Sequence, residues 1–315
     1  MTLAIETQAL TKHYEVGFVT KRAVRALEGL SIKVETGQVM GLLGPNGAGK
    51  STTIKILLNL IRATSGTARL FGHSPDTVEA RREVGFLPEN PAPYEYLTGE
   101  EFVSLSGSIG GLSGERLRTR VDTVIKQVEM ERARSLQIRK YSKGMIQRIS
   151  LAQALVTEPK LLILDEPTSG LDILGRQLVR DIIVAERKRG TTVLFCSHII
   201  PDVEVLCDSV LVLIGGKLVR EGRVSDLLSG DQVETEVVLE GVSAESAPAF
   251  QAWAPERIGE RFSVKCDEKA VPAVLRQALD SHARVVSVQR TRYSLEALFL
   301  DALKQSAQSV GSAIS

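Results

Sequence analysis

An α/β fold built on a mostly parallel sheet, followed by a small α+β domain, is the class the sequence predicts. Three observations lead to it. Val39–Leu43, Leu161–Leu164 and Thr192–Phe195 are short, fully apolar runs with helical periodicity between them, the pattern of a parallel sheet covered on both faces. The first of these runs enters a glycine-rich segment and leaves it as a helix. Near residue 230 the character changes, and short strands and helices alternate over roughly 85 residues, enough for a domain of its own.

Taken in order, Leu3–Ala9 reads as a strand, followed by Lys12-His13-Tyr14 and a polar excursion through Gly17–Arg22. Leu30–Val34 alternates apolar and polar residues, and Gly37 marks a turn before Val39–Leu43. After Lys50, the residues Ile54, Leu57, Leu58 and Ile61 recur at helical spacing. Val210–Ile214, Gly215-Gly216 and Lys217–Arg220 predict a hairpin with a two-glycine turn. Leu228-Ser229-Gly230-Asp231 reads as a linker, which divides the chain into domains 1–230 and 231–315. Strands are expected over 234–240, 261–266 and 284–290. Helices are expected over 247–253 (a poor one), 270–281 and 294–304, with Gln305–Ser315 a frayed end.

A composition with 43% apolar and 24% charged residues is that of an ordinary globular protein. A net charge of +1 gives no whole-chain case for nucleic-acid binding. Residues 231–315 hold nine Lys plus Arg against twelve Asp plus Glu, so the positive excess sits in the first domain, which suits a domain that handles an anion. No apolar run reaches the roughly 18 residues of a transmembrane helix, and the N-terminus lacks a signal-peptide pattern, so a cytoplasmic location is expected. Cys196, Cys207 and Cys266 form neither a metal-ligand pattern nor an even disulfide set, and buried, reduced thiols are expected.

Gly44-Pro45-Asn46-Gly47-Ala48-Gly49-Lys50-Ser51 fits GxxxxGK(S/T) between a strand and a helix. The glycines let consecutive backbone N–H groups turn toward phosphate oxygens, and the helix N-terminus adds partial positive charge. Lys50 can reach the β- and γ-phosphates. Ser51 can hold Mg²⁺, with Thr52 behind it. Leu161–Leu164 then delivers Asp165 and Glu166 to the carboxyl edge of the sheet, where ligands bind. Asp165 is expected to hold Mg²⁺ through water, and Glu166 to orient or deprotonate an attacking water.

In this order the segments resemble the ATP-binding subunits of ABC transporters over residues 1–230. The motifs are Gly44–Ser51 (Walker A), Glu89 at the Q-loop position, Tyr141-Ser142-Lys143-Gly144-Met145 (the signature), Leu161–Glu166 (Walker B), Ser169-Gly170-Leu171-Asp172 (the D-loop) and His198 (the switch histidine). The resemblance implies a P-loop NTPase architecture with an antiparallel β subdomain and a helical subdomain. It implies Tyr14 stacked on adenine and His198 reaching the γ-phosphate. It also implies two ATP–Mg²⁺ clamped head to tail between two subunits, identical or paralogous. Ser142 and Gly144, at the start of a helix, would then contact the ATP of the partner. The signature departs from the commoner Leu-Ser-Gly-Gly-Gln at Lys143 and Met145 but keeps this anion-facing pair.

Gly85-Phe86-Leu87-Pro88-Glu89-Asn90-Pro91, the signature form and the terminal Leu295–Leu300 look like bacterial export ATPases, in which a separate integral membrane permease supplies the spans. That implies a peripheral position on the cytoplasmic face of the inner membrane. Glu89 stands where glutamine is usual. One reading makes it a metal sensor beside a permease-docking loop, Pro91–Tyr96. The other turns it to solvent, with Phe86 and the tyrosines packed under the helical subdomain. Two rival functions stay open: a soluble ABC-type ATPase that remodels a protein complex, and a nucleotide-gated interaction module without turnover. Asp165, Glu166 and His198 argue against the second. A chromosome-organising ATPase would need a long coiled coil between Lys50 and Ser142, which stand only 92 positions apart.

Overall fold

A computed structural model describes residues 2–16, 22–228, 234–242, 246–253, 255–291, 294–300 and 302–303. Most of the predicted excursion at 17–22, most of the linker and the frayed end lie outside these. The chain divides into two compact units, Met1–Arg223 and Val224–Ser315.

The first unit holds two sheets. One is antiparallel, with β1 (Leu3–Val16) between β2 (Arg22–Leu30) and β3 (Lys33–Glu35), and with β5 (Ser65–Leu70) also paired to β1. The other has six strands in the order β10-β9-β4-β8-β7-β6: β4 (Val39–Leu43), β6 (Val84–Leu87), β7 (Leu161–Asp165), β8 (Thr192–Cys196), β9 (Ser209–Ile214) and β10 (Lys217–Arg223). Neighbours from β9 to β6 run parallel, and only the β9–β10 hairpin is antiparallel. Every residue of β4, β7 and β8 is buried, which is why these strands read as unbroken apolar runs rather than alternating ones.

The α-helices among the described residues of this unit are α1 (Lys50–Leu57), α2 (Val78–Arg82), α3 (Gly99–Ile109), α4 (Gly114–Gln127), α5 (Lys143–Leu155), α6 (Ile173–Lys188) and α7 (Ile200–Leu206). Their starts are written in side chains. Thr98 and Glu101 form a reciprocal capping box on α3, Ser142 caps α5, and Asp172 caps α6 by accepting from the Gly175 N–H at 2.8 Å. Helix α1 packs on β5 and β2, α5 on β6, α6 on β8 and α7 on β4, while α3, α4 and α5 pack on one another. A core including Ile5, Leu27, Leu42, Ile54, Leu57, Ile163 and Leu194 joins the two sheets.

In the second unit α8 (Val224–Leu228) precedes a four-stranded antiparallel sheet, β12-β13-β11-β14. Its strands are β11 (Glu234–Glu240), β12 (Glu256–Ile258), β13 (Arg261–Asp267) and β14 (Arg284–Thr291). A 3-10 segment, Ala247–Trp253, and α9 (Val271–Asp280) cover Val237, Leu239, Val264 and Cys266. The three expected strands and the helix over 270–281 appear, 247–253 forms a 3-10 segment instead of an α-helix, and β12 is an addition. Within the last predicted helix, residues 295–300 and 302–303 are helical.

Candidate active site

Strand β4 ends at Leu43 and the chain turns through residues 44–49 into α1. The glycines here are sterically required at two points. A Cβ on Gly44 would stand 2.5 Å from the Leu213 carbonyl oxygen. Gly49 has φ +105°, and its Cβ would stand 2.6 Å from Leu27 Cδ2. The loop therefore wraps tightly, and Lys50 closes it: its buried Nζ donates to the carbonyls of Gly44 (2.6 Å) and Pro45 (3.3 Å). One residue on, Ser51 Oγ donates to Asp165 Oδ2 at 3.3 Å, joining the start of α1 to the end of β7.

Asp165 and Cys196 are in register at the ends of the adjacent strands β7 and β8. Glu166 follows at φ +50°, a left-handed conformation that costs a non-glycine residue energy. It is held there by the Glu166 N–H donating to Cys196 O (2.9 Å) and the Ser169 N–H donating to Glu166 O (3.0 Å). This turn aims the carboxylate at His198, whose Nδ1 lies 2.8 Å from Glu166 Oε2. Burial holds the Asp165 carboxyl above the usual carboxylate range. The neighbouring Glu89 and Glu166 push the same way, against the opposing Ser51 hydrogen bond and Lys50 charge.

These groups share a cavity of 610 Å³, lined by Gly44, Pro45, Asn46, Gly47, Ala48, Gly49, Lys50, Ser51, Thr52, Glu89, Asp165, Glu166 and His198, with Val24, Arg25 and Ala26 of β2. Tyr14 is not among the lining residues. It pairs with Val24 across the β1–β2 ladder, and its ring lies 5.2 Å from Lys12 Nζ. Sequence reasoning misses the β2 residues, because nothing local marks Val24-Arg25-Ala26; they arrive by folding of the antiparallel sheet over the loop.

Ser142 and Gly144 lie elsewhere. They line a second cavity of 580 Å³ with Lys143, Met145, Arg132, Arg148 and Gly170-Leu171-Asp172, and it shares no residue with the first. Ser142 Oγ accepts from the Met145 N–H at 3.3 Å, and the Lys143 stem lies against Gly170, whose φ is +73°. Signature and D-loop thus form one surface.

The geometry has close relatives. The ABC transporter family model matches residues 27–169. An uncharacterised ABC transporter ATP-binding protein of Synechocystis sp. is 38% identical over 311 residues, covering 96% of this chain and 85% of that protein. The chain belongs to the ABC transporter family.

It is an ATP-binding subunit and an ATPase. The daunorubicin/doxorubicin resistance ATP-binding protein DrrA of Streptomyces peucetius is 40% identical, over 72% of this chain and 68% of that one. Among solved structures, the dimeric, post-hydrolysis ATP-binding cassette MJ0796 bound to ADP and Pi superposes with a TM-score of 0.65 at 25% identity, over 70% of this ABC subunit and 98% of that chain.

The donor set fits a nucleotide triphosphate with a divalent cation. The glycine loop brings backbone N–H groups and Lys50 to one concavity, and a hydroxyl and a buried carboxylate, hard oxygen ligands, meet beside it. Among the described residues no three His, Cys, Asp or Glu side chains converge as a metal site. All three cysteines are buried, and burial pushes the Cys196 and Cys207 thiols up, out of reach of this chemistry.

Proposed function

We propose that this subunit energises export through a separate integral membrane permease, closing head to tail with a second ATPase subunit around two ATP–Mg²⁺. The observation that carries the two-subunit reading is the division of the machinery. Ser142 and Gly144 line one cavity, and Lys50, Asp165, Glu166 and His198 line another. One chain therefore offers half of each of two sites, and the dimeric relative supports the same arrangement.

In this reading Lys50 leaves the Gly44 and Pro45 carbonyls for the β- and γ-phosphates, and backbone N–H groups of the glycine loop and the start of α1 hold the remaining phosphate oxygens. Ser51 and Asp165, with Glu89 beside them, would hold Mg²⁺, which would supply charge neutralisation for the phosphates. Glu166 accepts the proton of the attacking water, and His198 orients the γ-phosphate through its other ring nitrogen. The adenine lies near Val24–Ala26, next to Tyr14.

Export is supported by the resistance protein among the relatives and by the form of the signature. The permease contact is assigned to Pro91–Tyr96. Tyr94 and Tyr96 are 69% and 76% exposed, while Phe86 packs against the core. Among the described residues no helix is long and apolar enough to cross a membrane. This subunit is assigned a peripheral place on the cytoplasmic face of the inner membrane, beside the permease that supplies the spans. The first unit, Met1–Arg223 rather than the expected 1–230, carries the ATP chemistry, and the second, Val224–Ser315, is an accessory domain.

The test is co-purification of Glu166→Gln protein from native membranes with ATP present. A stoichiometric polytopic membrane protein is expected. A soluble complex with no membrane protein would instead favour the assembly-ATPase reading.

A further inference from the structure

Asp202 is a fully buried carboxylate four residues beyond His198, on α7. Both of its oxygens are used. Oδ2 accepts from the Thr168 hydroxyl at 3.3 Å, and Oδ1 accepts from Arg180 Nε at 3.1 Å and from Arg180 Nη2. Thr168 is itself buried and stands two residues beyond Glu166, while Arg180 lies on α6. The carboxylate therefore joins three segments: the one leaving β7, the one leaving β8, and the helix that follows the D-loop.

The buried Gln147 of α5 donates its Nε2 to the Pro167 carbonyl at 3.2 Å. Residues 166–168 are thus held by α7 and by the signature helix together. Burying a charge carries a desolvation cost that its ion pair only offsets, so a well-packed apolar side chain would serve stability at least as well. What a bonded carboxylate adds is register between the segments it joins. Those segments carry Glu166, in its unfavourable left-handed turn, and His198.

We propose that Asp202, through its bond to Thr168, is a positioning residue for ATP hydrolysis, fixing the end of β7 against the start of α7 so that Glu166 and His198 meet at the γ-phosphate. This rests on the reading of Glu166 and His198 as the catalytic pair. A displaced catalytic group loses rate steeply, up to about 100-fold for an ångström.

The test compares Thr168→Val, Thr168→Ser, Asp202→Asn and the Thr168→Val/Asp202→Asn double variant for kcat, KM for ATP and Tm. Valine keeps the volume and loses the hydroxyl; serine keeps the hydroxyl and loses a methyl group. Thr168→Val is expected to lower kcat about tenfold with KM nearly unchanged. Thr168→Ser should keep most of kcat while losing Tm to its cavity, and the double variant should be no slower than the slower single one. A wild-type kcat in Thr168→Val overturns the proposal, and so does a kcat that follows Tm, with serine as damaging as valine. Should Asp202→Asn fail to fold, Thr168→Val and Thr168→Ser still separate these outcomes. Glu166→Gln is assayed alongside. Should it hydrolyse ATP at the wild-type rate, the catalytic assignment itself fails, whatever Thr168→Val does.

Discussion

His198 Nδ1 lies 2.8 Å from Glu166 Oε2, bridging the ends of the adjacent strands β7 and β8. With Nδ1 turned to the carboxylate, Nε2 of this cavity-lining residue is the ring nitrogen left for a γ-phosphate. Glu166→Gln should slow Mg²⁺-dependent hydrolysis by roughly 10²–10⁴-fold while ATP still binds, since it removes a base and keeps the shape. His198→Ala should also lose rate without losing ATP. Steady-state hydrolysis beside equilibrium ATP binding separates the two effects.

Lys50 now bonds to the carbonyls of its own loop. Lys50→Ala should therefore leave the fold close to intact and weaken ATP binding by about 10–100-fold, the worth of a charge-assisted contact. Gly44→Ala should lose both ATP binding and stability, because its Cβ would stand 2.8 Å from Ala48 Cβ as well as against Leu213. Titration calorimetry and thermal melts distinguish the two.

Asp165 tests the electrostatics. Its folded pKa is raised, so ionising it costs the folded state stability. That cost is absent below the ordinary value of 3.8, grows as pH rises from there, and is complete once pH has risen through the folded pKa. Asp165→Asn should accordingly raise the nucleotide-free Tm by a few degrees at neutral pH, and the gain should shrink as pH falls toward the ordinary carboxylate value. The same variant should lose the extra thermal stabilisation that Mg²⁺ and ATP together give the wild type.

Glu89 adds negative charge beside Asp165. Glu89→Gln should raise the Mg²⁺ concentration needed for half-maximal hydrolysis severalfold, because it removes attraction for the cation. An unchanged Mg²⁺ dependence would leave Glu89 lining the cavity without a part in holding the cation.

Much of this is legible in the sequence because it is local. Lys50, Ser51, Asp165 and Glu166 follow apolar runs whose ends a parallel sheet must gather at one edge. What escapes is set by tertiary folding or by weak patterning. Strand β1 is continuous from Leu3 to Val16, but its register shifts near Leu10–His13, and Ala9 has φ +46°, so it reads as two pieces. Strand β12 is three exposed residues, Glu256-Arg257-Ile258, with no alternation to reveal it. Val24–Ala26 and the Thr168–Asp202–Arg180 cluster carry no local mark at all, since their partners come from distant segments. The exposed Tyr94 and Tyr96 settle another ambiguity of the sequence: they do not pack beneath the helices.

Catalysis shared between two chains is the central claim, and the mass of the Glu166→Gln protein in solution tests it most directly. Light scattering should give the protomer mass without nucleotide and twice that mass with ATP. Adding Ser142→Arg, which fills the second cavity, should hold the mass at one protomer while ATP still binds. A Glu166→Gln protein that stays at protomer mass with ATP bound would contradict pairing of identical chains. So would a Ser142→Arg variant that doubles as readily.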